Sequence, residues 1–259
     1  MHENMSRNEL EGRSALVTGA SSGIGQAIAE ELAAQGAEVV LVARRANELI
    51  SVVDEIVSNG GKAQFITADL SDSTQVETVI DRSVGLLGHL DILVNSAGKA
   101  DWAPALDTDR KSFDSHLALN AWAPLRLAQL AHPHLSLSKD AVVVMVGSID
   151  ALRPSAGAAA YGSSKAAMSA LTIVLAKEWA DNGIRIVQVN PGLIRTPMAA
   201  KVIEEIENGK RSINLVGRVG EPSEVAALVR YLVSPSGRFT TGVSFQLDGG
   251  AIVSGPFDI

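Results

Sequence analysis

From Ser14 onward, short runs rich in Val, Ile, Leu and Ala alternate with longer segments of helical period, and this alternation leaves few folds open. The runs are "SALVT", "AEVVLVA", "KAQFITA", "DILVNSAG", "AVVVMVG", "IRIVQVN" and "GVSFQLDGG". Most of these runs are apolar without strict inside–outside alternation, the pattern of strands covered by helices on both faces. Segments such as "GIGQAIAEELAAQG" and "ANELISVVDEIVSNG" lie between them and end in glycines, Gly36 and Gly60, suited to a left-handed helix terminus. A long helical region passes through Asn120 and Leu130, and helix signals return at Val202–Glu207 and Ser223–Val233. The expectation is an α/β chain built of stacked βαβ units around a doubly wound parallel sheet of about seven strands.

Neither a charged or Pro/Gly-rich linker nor a repeat of fixed length divides the 259 residues, so one domain over 1–259 is expected. The opening "MHENMSRNELEG" is polar and has no apolar core, which reads residues 1–12 as a loosely ordered extension rather than a signal peptide. The longest aliphatic run, "AVVVMVG", is too short to span a bilayer. A net charge of −7 argues against nucleic-acid and anionic-membrane partners, and the absence of cysteine removes thiolate chemistry and fits a reducing, cytoplasmic setting.

Between the first strand and its helix stands "TGASSGIG", with Gly19, Gly23 and Gly25. A glycine turn opening a helix presents unpaired N–H groups and the positive end of the helix dipole, which receive a pyrophosphate. A tight turn at Gly19, close backbone approach at Gly23 and helix-to-strand packing at Gly25 are the roles this predicts, in a Rossmann-type dinucleotide site. "GASSG" also matches the nucleophile elbow of serine hydrolases. That reading needs a histidine late in the chain, and none follows His134.

At the end of the second strand, where an acid would bind the adenosine ribose, stands "ARR". Ala43 takes the acid's place, and Arg44 and Arg45 favour a 2′-phosphate, so NADP(H) is preferred and NAD(H) remains open.

Tyr161, one of two tyrosines, precedes Lys165 by four positions, so on a helix both face one side, about 5–6 Å apart. A cation ~4 Å from the phenol at an effective dielectric of ~20 favours phenolate by about 4 kcal/mol at most, which predicts a Tyr161 pKa lowered toward neutrality. Ser148 ends the strand "AVVVMVG", at the sheet edge where parallel sheets bind ligands. A phosphate-binding turn, a polar strand end and an activated phenol point to hydride transfer coupled to proton transfer on a carbonyl.

These motifs, with "AD" at Ala68–Asp69, "NSAG" at Asn95–Gly98, Asn120, "YGSSK", "NPG" at Asn190–Gly192 and "LDGG", resemble the short-chain dehydrogenase/reductase family over Ser14–Gly250. The resemblance implies a catalytic tetrad of Asn120, Ser148, Tyr161 and Lys165. Tyr161 would exchange the proton, Ser148 would hold the substrate oxygen, Lys165 would grip the nicotinamide ribose, and Asn120 would hold a water on the proton path. It further implies cofactor contacts from Gly19, Ser21, Ser22, Gly23, Ile24, Gly25, Arg44, Arg45, Asp69, Leu70, Asn95, Ala97, Gly98, Tyr161, Lys165, Pro191, Gly192, Ile194 and Thr196. Asp69 would face adenine, Asn95 would steady the strand edge, and Ile194 and Thr196 would lie against the carboxamide. Ser96 and Val187 depart from the family's asparagines, altering supporting contacts only.

Residues 193–218 resemble the family's substrate lid, and Asp101, Trp102 and Asp150–Arg153 are expected to shape the pocket. The pattern is similar to 3-oxoacyl-carrier-protein reductases and also to sugar and other ketone reductases. The function expected is NADP(H)-dependent interconversion of a ketone and a secondary alcohol. NAD(H)-dependent sugar or polyol oxidation and a non-catalytic dinucleotide-binding regulator are the alternatives. His132 and His134 flank a proline and read as a solvated loop rather than a metal site. The three tryptophans read as packing anchors. Small residues Ala166, Ala167 and Ala170 would admit a partner helix, and the resemblance implies a homotetramer or homodimer.

Overall fold

Valine and isoleucine crowd the backbone at Cβ and favour extended structure, and each valine-rich run forms a strand. The computed structural model of the protein describes residues 8–209 and 213–254. Among these, the strands are β1 (Ser14–Thr18), β2 (Glu38–Ala43), β3 (Lys62–Thr67), β4 (Ile92–Asn95), β5 (Val142–Val146), β6 (Arg185–Pro191) and β7 (Val243–Leu247). They form one parallel sheet in the order β3-β2-β1-β4-β5-β6-β7.

The helices are α1 (Gly23–Ala34), α2 (Ala46–Ser58), α3 (Ser73–Leu87), α4 (Arg110–Leu117), α5 (Ala123–Leu135), α6 (Ala159–Glu178), α7 (Ala200–Glu207) and α8 (Pro222–Val233). Successive strand residues point to opposite faces. Val17, Leu41 and Val94 pack with Ile28 and Leu32 of α1, Leu49 of α2 and Val229 of α8. Leu16, Val40, Leu93 and Met145 pack on the other face with Ile80 of α3, Leu127 of α5 and Met168 of α6. Each fully buried Leu or Ile of these layers contributes about 1.5–3 kcal/mol.

Strand order reverses between β1 and β4, and a crevice opens beyond their carboxyl ends. Thr18 holds it together: its hydroxyl donates to the Val94 carbonyl at 3.3 Å and accepts from the N–H groups of Ser96 at 3.0 Å and Ala97 at 3.1 Å.

Three expectations are corrected here. Residues 1–7 of the expected loose extension lie outside the described residues, but Leu10 is fully buried and its N–H donates to Gln35 O, because its side chain finds room in the α1–α2 core layer. His132 and His134 stand in the last turn of α5 rather than in a loop, and the helix runs through Pro133 to Leu135. His132 meets Trp179 edge-on, with ring centres 4.8 Å apart. Trp179 is packed against the core as expected, but Trp102 and Trp122 are about half exposed and do not anchor it.

Candidate active site

The glycine turn closes the crevice from below. Gly19 and Gly23 both have positive φ, 68° and 60°. A Cβ on Gly19 would stand 2.8 Å from the Ala97 backbone, and one on Gly25 would stand 2.5 Å from Gly19 O, so this backbone can pass between β1, α1 and β4 only as glycine. A Cβ on Gly23 would meet the Thr196 side chain at 3.0 Å, so the segment after β6 lies against the turn. No side chain caps the N-terminus of α1 and its first turn carries no acid. An uncapped, unopposed helix end facing a cleft fits an anionic group.

The cleft has a volume of about 310 Å³ and is bounded by the glycine turn, Arg44, Arg45, Asp69, Leu70, Ala97, Gly98, Tyr161, Lys165 and Thr196. Arg45 donates to the hydroxyls of Ser21 and Ser22, each at 2.9 Å, and so roofs the turn with a guanidinium. Arg44 is largely exposed, 4.0 Å from the Asp69 carboxylate. Burial alone would raise Asp69, but the Ser71 hydroxyl and N–H at 2.7 and 2.9 Å, with Arg44, outweigh it and hold the carboxyl below its ordinary value. The uncapped end of α1 with Arg45 above it fits the anionic part of a dinucleotide.

Tyr161 lies in the first turn of α6 and Lys165 one turn on. The Lys165 side chain is almost fully buried, and its ammonium donates to the Val146 carbonyl at 2.8 Å. Burial lowers it to about 8. The phenol moves opposite to expectation: burial pushes Tyr161 up to about 12, against a lowering hydrogen bond from Ser148, and the Asp150 carboxylate adds to the rise. The lysine is 5.9 Å from the ring centre and turned to a carbonyl, so desolvation outweighs its attraction. The Ser148 hydroxyl accepts from the Asp150 N–H at 3.1 Å, which leaves its own proton for the phenol.

Asn120 sits in a π turn, Ala118–Trp122, that joins α4 to α5. Its amide hydrogens go to Lys99 O and Ser164 Oγ, each at 2.9 Å, and its oxygen accepts from Lys99 N–H at 2.9 Å. Any water at Asn120 must therefore be met by an oxygen atom. Gly98 lies between Asn120 and Lys165: a Cβ there would stand 3.2 Å from Asn120 Oδ1 and 3.7 Å from Lys165 Nζ.

Several expected contacts stand behind the cleft wall. Asn95 is buried against Pro124 and Met145, Ile194 belongs to the α1–α8 core layer, and Gly192 packs on Asp248. Pro191 is buried at the end of β6. Lys99 and Met198 line the cleft without having been expected there; Lys99 directly follows "NSAG", and Met198 lies two positions beyond Thr196. Trp102 tilts over Tyr161 with ring centres 5.8 Å apart.

The family model described as enoyl-(acyl carrier protein) reductase matches residues 19–251. A tropinone reductase homolog of Arabidopsis thaliana is 36% identical over 253 residues, covering 96% of this chain and 94% of the relative. A short chain dehydrogenase from Burkholderia cenocepacia, solved in complex with NADP, is 37% identical with a TM-score of 0.87, over 94% of this chain and 99% of that one. A 3-oxoacyl (acyl-carrier-protein) reductase from Agrobacterium tumefaciens, with NADP bound, is 33% identical with a TM-score of 0.89, over 96% of this chain and 100% of that one. Glycine turn, serine, tyrosine and lysine at the reversal point of one parallel sheet agree with these likenesses along nearly the whole chain: it belongs to the short-chain dehydrogenase/reductase family of oxidoreductases.

Proposed function

We propose that this protein is an NADP(H)-dependent reductase that converts a ketone to a secondary alcohol, reversibly, with Tyr161 as its acid. The observation that carries the reading is a protonated phenol, held by Ser148 one helical turn from a buried lysine, in a cleft roofed by Arg44 and Arg45. The reduced nicotinamide supplies the hydride when bound. The chain's own residues do the rest. Tyr161 gives its proton to the carbonyl oxygen as negative charge develops there, and the Ser148 hydroxyl turns its one proton from the phenol to donate a hydrogen bond to the same oxygen. Lys165 faces the ribose, Asn120 supports the route by which the phenol regains its proton, and the uncapped end of α1 holds the pyrophosphate. Arg44 and Arg45 take the ribose 2′-phosphate. Leu70, Asn95, Pro191, Gly192 and Ile194 shape the walls of the cofactor site.

The substrate in this reading is a 3-oxoacyl or related small carbonyl compound, as the names of relatives support. Residues 1–259 act as one catalytic unit, with 193–218 as lid. Homotetramer or homodimer formation is supported by exposed Ile173 and Val174 on α6 and by exposed Trp122. A cytoplasmic setting is supported by the absence of cysteine. No helix among the described residues is long and apolar enough to cross a membrane.

The test is NADPH oxidation over a panel of acyl thioesters, sugars and cyclic ketones, with Tyr161→Phe as control. Turnover by the native chain that disappears in Y161F supports the reading. NADPH binding without turnover on any ketone rejects it.

A further inference from the structure

Gln188 and Asn190 alternate with the core valines of β6 and point to the α6 side of the sheet, where both are fully buried. A carboxamide in an apolar layer costs about 1–3 kcal/mol unless it is hydrogen-bonded. Gln188 uses its whole side chain: Oε1 accepts from Thr172 Oγ1 at 2.8 Å, and Nε2 donates to Ser169 Oγ at 2.7 Å and to Asn190 Oδ1 at 2.6 Å. Ser169 in turn donates to the Lys165 carbonyl at 3.2 Å. On the other side, Asn190 Oδ1 accepts the Ser148 N–H at 3.2 Å.

Two further details show what this network is arranged around. Asn190 Nδ2 is buried without a partner, so the side chain is oriented by the two donors that converge on its oxygen, at the cost of an unmet N–H pair. At Gly147 a Cβ would stand 2.5 Å from Gln188 Nε2 and closer still to Asn190 Oδ1, so the end of β5 has given up a side chain to admit both amides.

We propose that Gln188 is a positioning residue that sets the distance between the Ser148 hydroxyl and the Tyr161 phenol. Among the described residues it is the one side chain bonded both to the helix that carries Tyr161 and Lys165 and, through Asn190, to the backbone of Ser148. This rests on the reductase reading above, and it extends that reading to a residue that touches neither substrate nor cofactor.

The test is Gln188→Leu, which keeps the volume and suits an apolar layer, with Gln188→Glu beside it. Glutamate keeps the acceptor for Thr172 and loses the donor to Asn190. Both variants are expected to lose about tenfold or more in kcat, the order a small misplacement of reacting groups produces, while KM for NADPH stays within about twofold. Amide hydrogen exchange at Ser148 is expected to accelerate, with Val143 and Val144 of β5 as protected as in the native chain. A folded Q188L with native kcat, or with native exchange at Ser148, overturns the assignment. Should Q188L not fold, Q188E decides by the same two readings. If the native chain turns over no ketone, the reductase reading fails on its own, and the exchange at Ser148 still decides whether Gln188 holds that serine.

Discussion

The Lys165 ammonium stands 5.9 Å from the centre of the Tyr161 ring and gives its hydrogen bond to the Val146 carbonyl. The pair is close enough to share a cleft, but the lysine does not acidify the phenol. Both groups are instead held toward their neutral forms by burial, Tyr161 at about 12 and Lys165 at about 8. A tyrosine that keeps its proton at neutral pH is in the form that an acid needs.

Lys165→Met should therefore separate stability from activity. The native lysine has its pKa lowered in the fold, so its burial costs stability below about pH 8, and that cost fades as pH rises from about 8 to the ordinary lysine value. The variant is expected to lose turnover and yet to melt higher at pH 7. Its advantage should shrink between about pH 8 and 10. Calorimetry at pH 7 and pH 10 checks both halves, and an advantage that grows with pH contradicts the assignment.

Ser148→Ala removes the one hydrogen bond that lowers Tyr161. Alcohol oxidation needs the phenolate, so the limb on which its rate rises with pH should move to higher pH in the variant, and kcat should fall by about 10²-fold as a donor to the reacting oxygen is lost. The pH profile of oxidation, measured beside that of the native chain, is the check.

Arg45 is fixed by Ser21 and Ser22, whereas Arg44 is largely exposed and stands 4.0 Å from Asp69. Changing either to Ala is expected to weaken NADPH by about 10- to 100-fold, the range for a charge-assisted hydrogen bond, with little effect on NADH. Fluorescence titration with both cofactors distinguishes a phosphate site from general damage, which would weaken them equally.

Gly25→Ala would press a methyl against Gly19 O, 2.5 Å away, and against Thr18 O, 3.1 Å away. A loss of about 1–3 kcal/mol is expected from overpacking at such a site. A lower urea midpoint with an unchanged slope, together with weaker NADPH binding, would show that the turn itself has moved.

The fold was legible because its signals are local. Valine-rich runs and terminal glycines mark strands and helix ends wherever they occur, and the spacing of Tyr161 and Lys165 follows from helical geometry alone. What escaped depends on tertiary surroundings. Desolvation of Tyr161 comes from residues distant in sequence, so a pairwise estimate gave its shift the wrong sign. Gln188 lies in a strand with valines, and only the packing of α6 and the neighbouring Asn190 shows that its amide meets three partners. Asn95 and Ile194 sit in motifs beside the cleft, but a motif does not say which of its side chains turn inward.

The π turn at Ala118–Trp122 gives Asn120 an unusual dependence on chain length. A wider winding carries a surplus residue compared with an α-helix. Deleting one residue there would restore regular winding, swing the Asn120 carboxamide away from Lys99 and Ser164, and leave every strand of the sheet in register. Such a deletion would displace one of the four residues proposed for catalysis while sparing the scaffold, so single-residue length variation in this stretch is a way to alter the cleft without unfolding the chain.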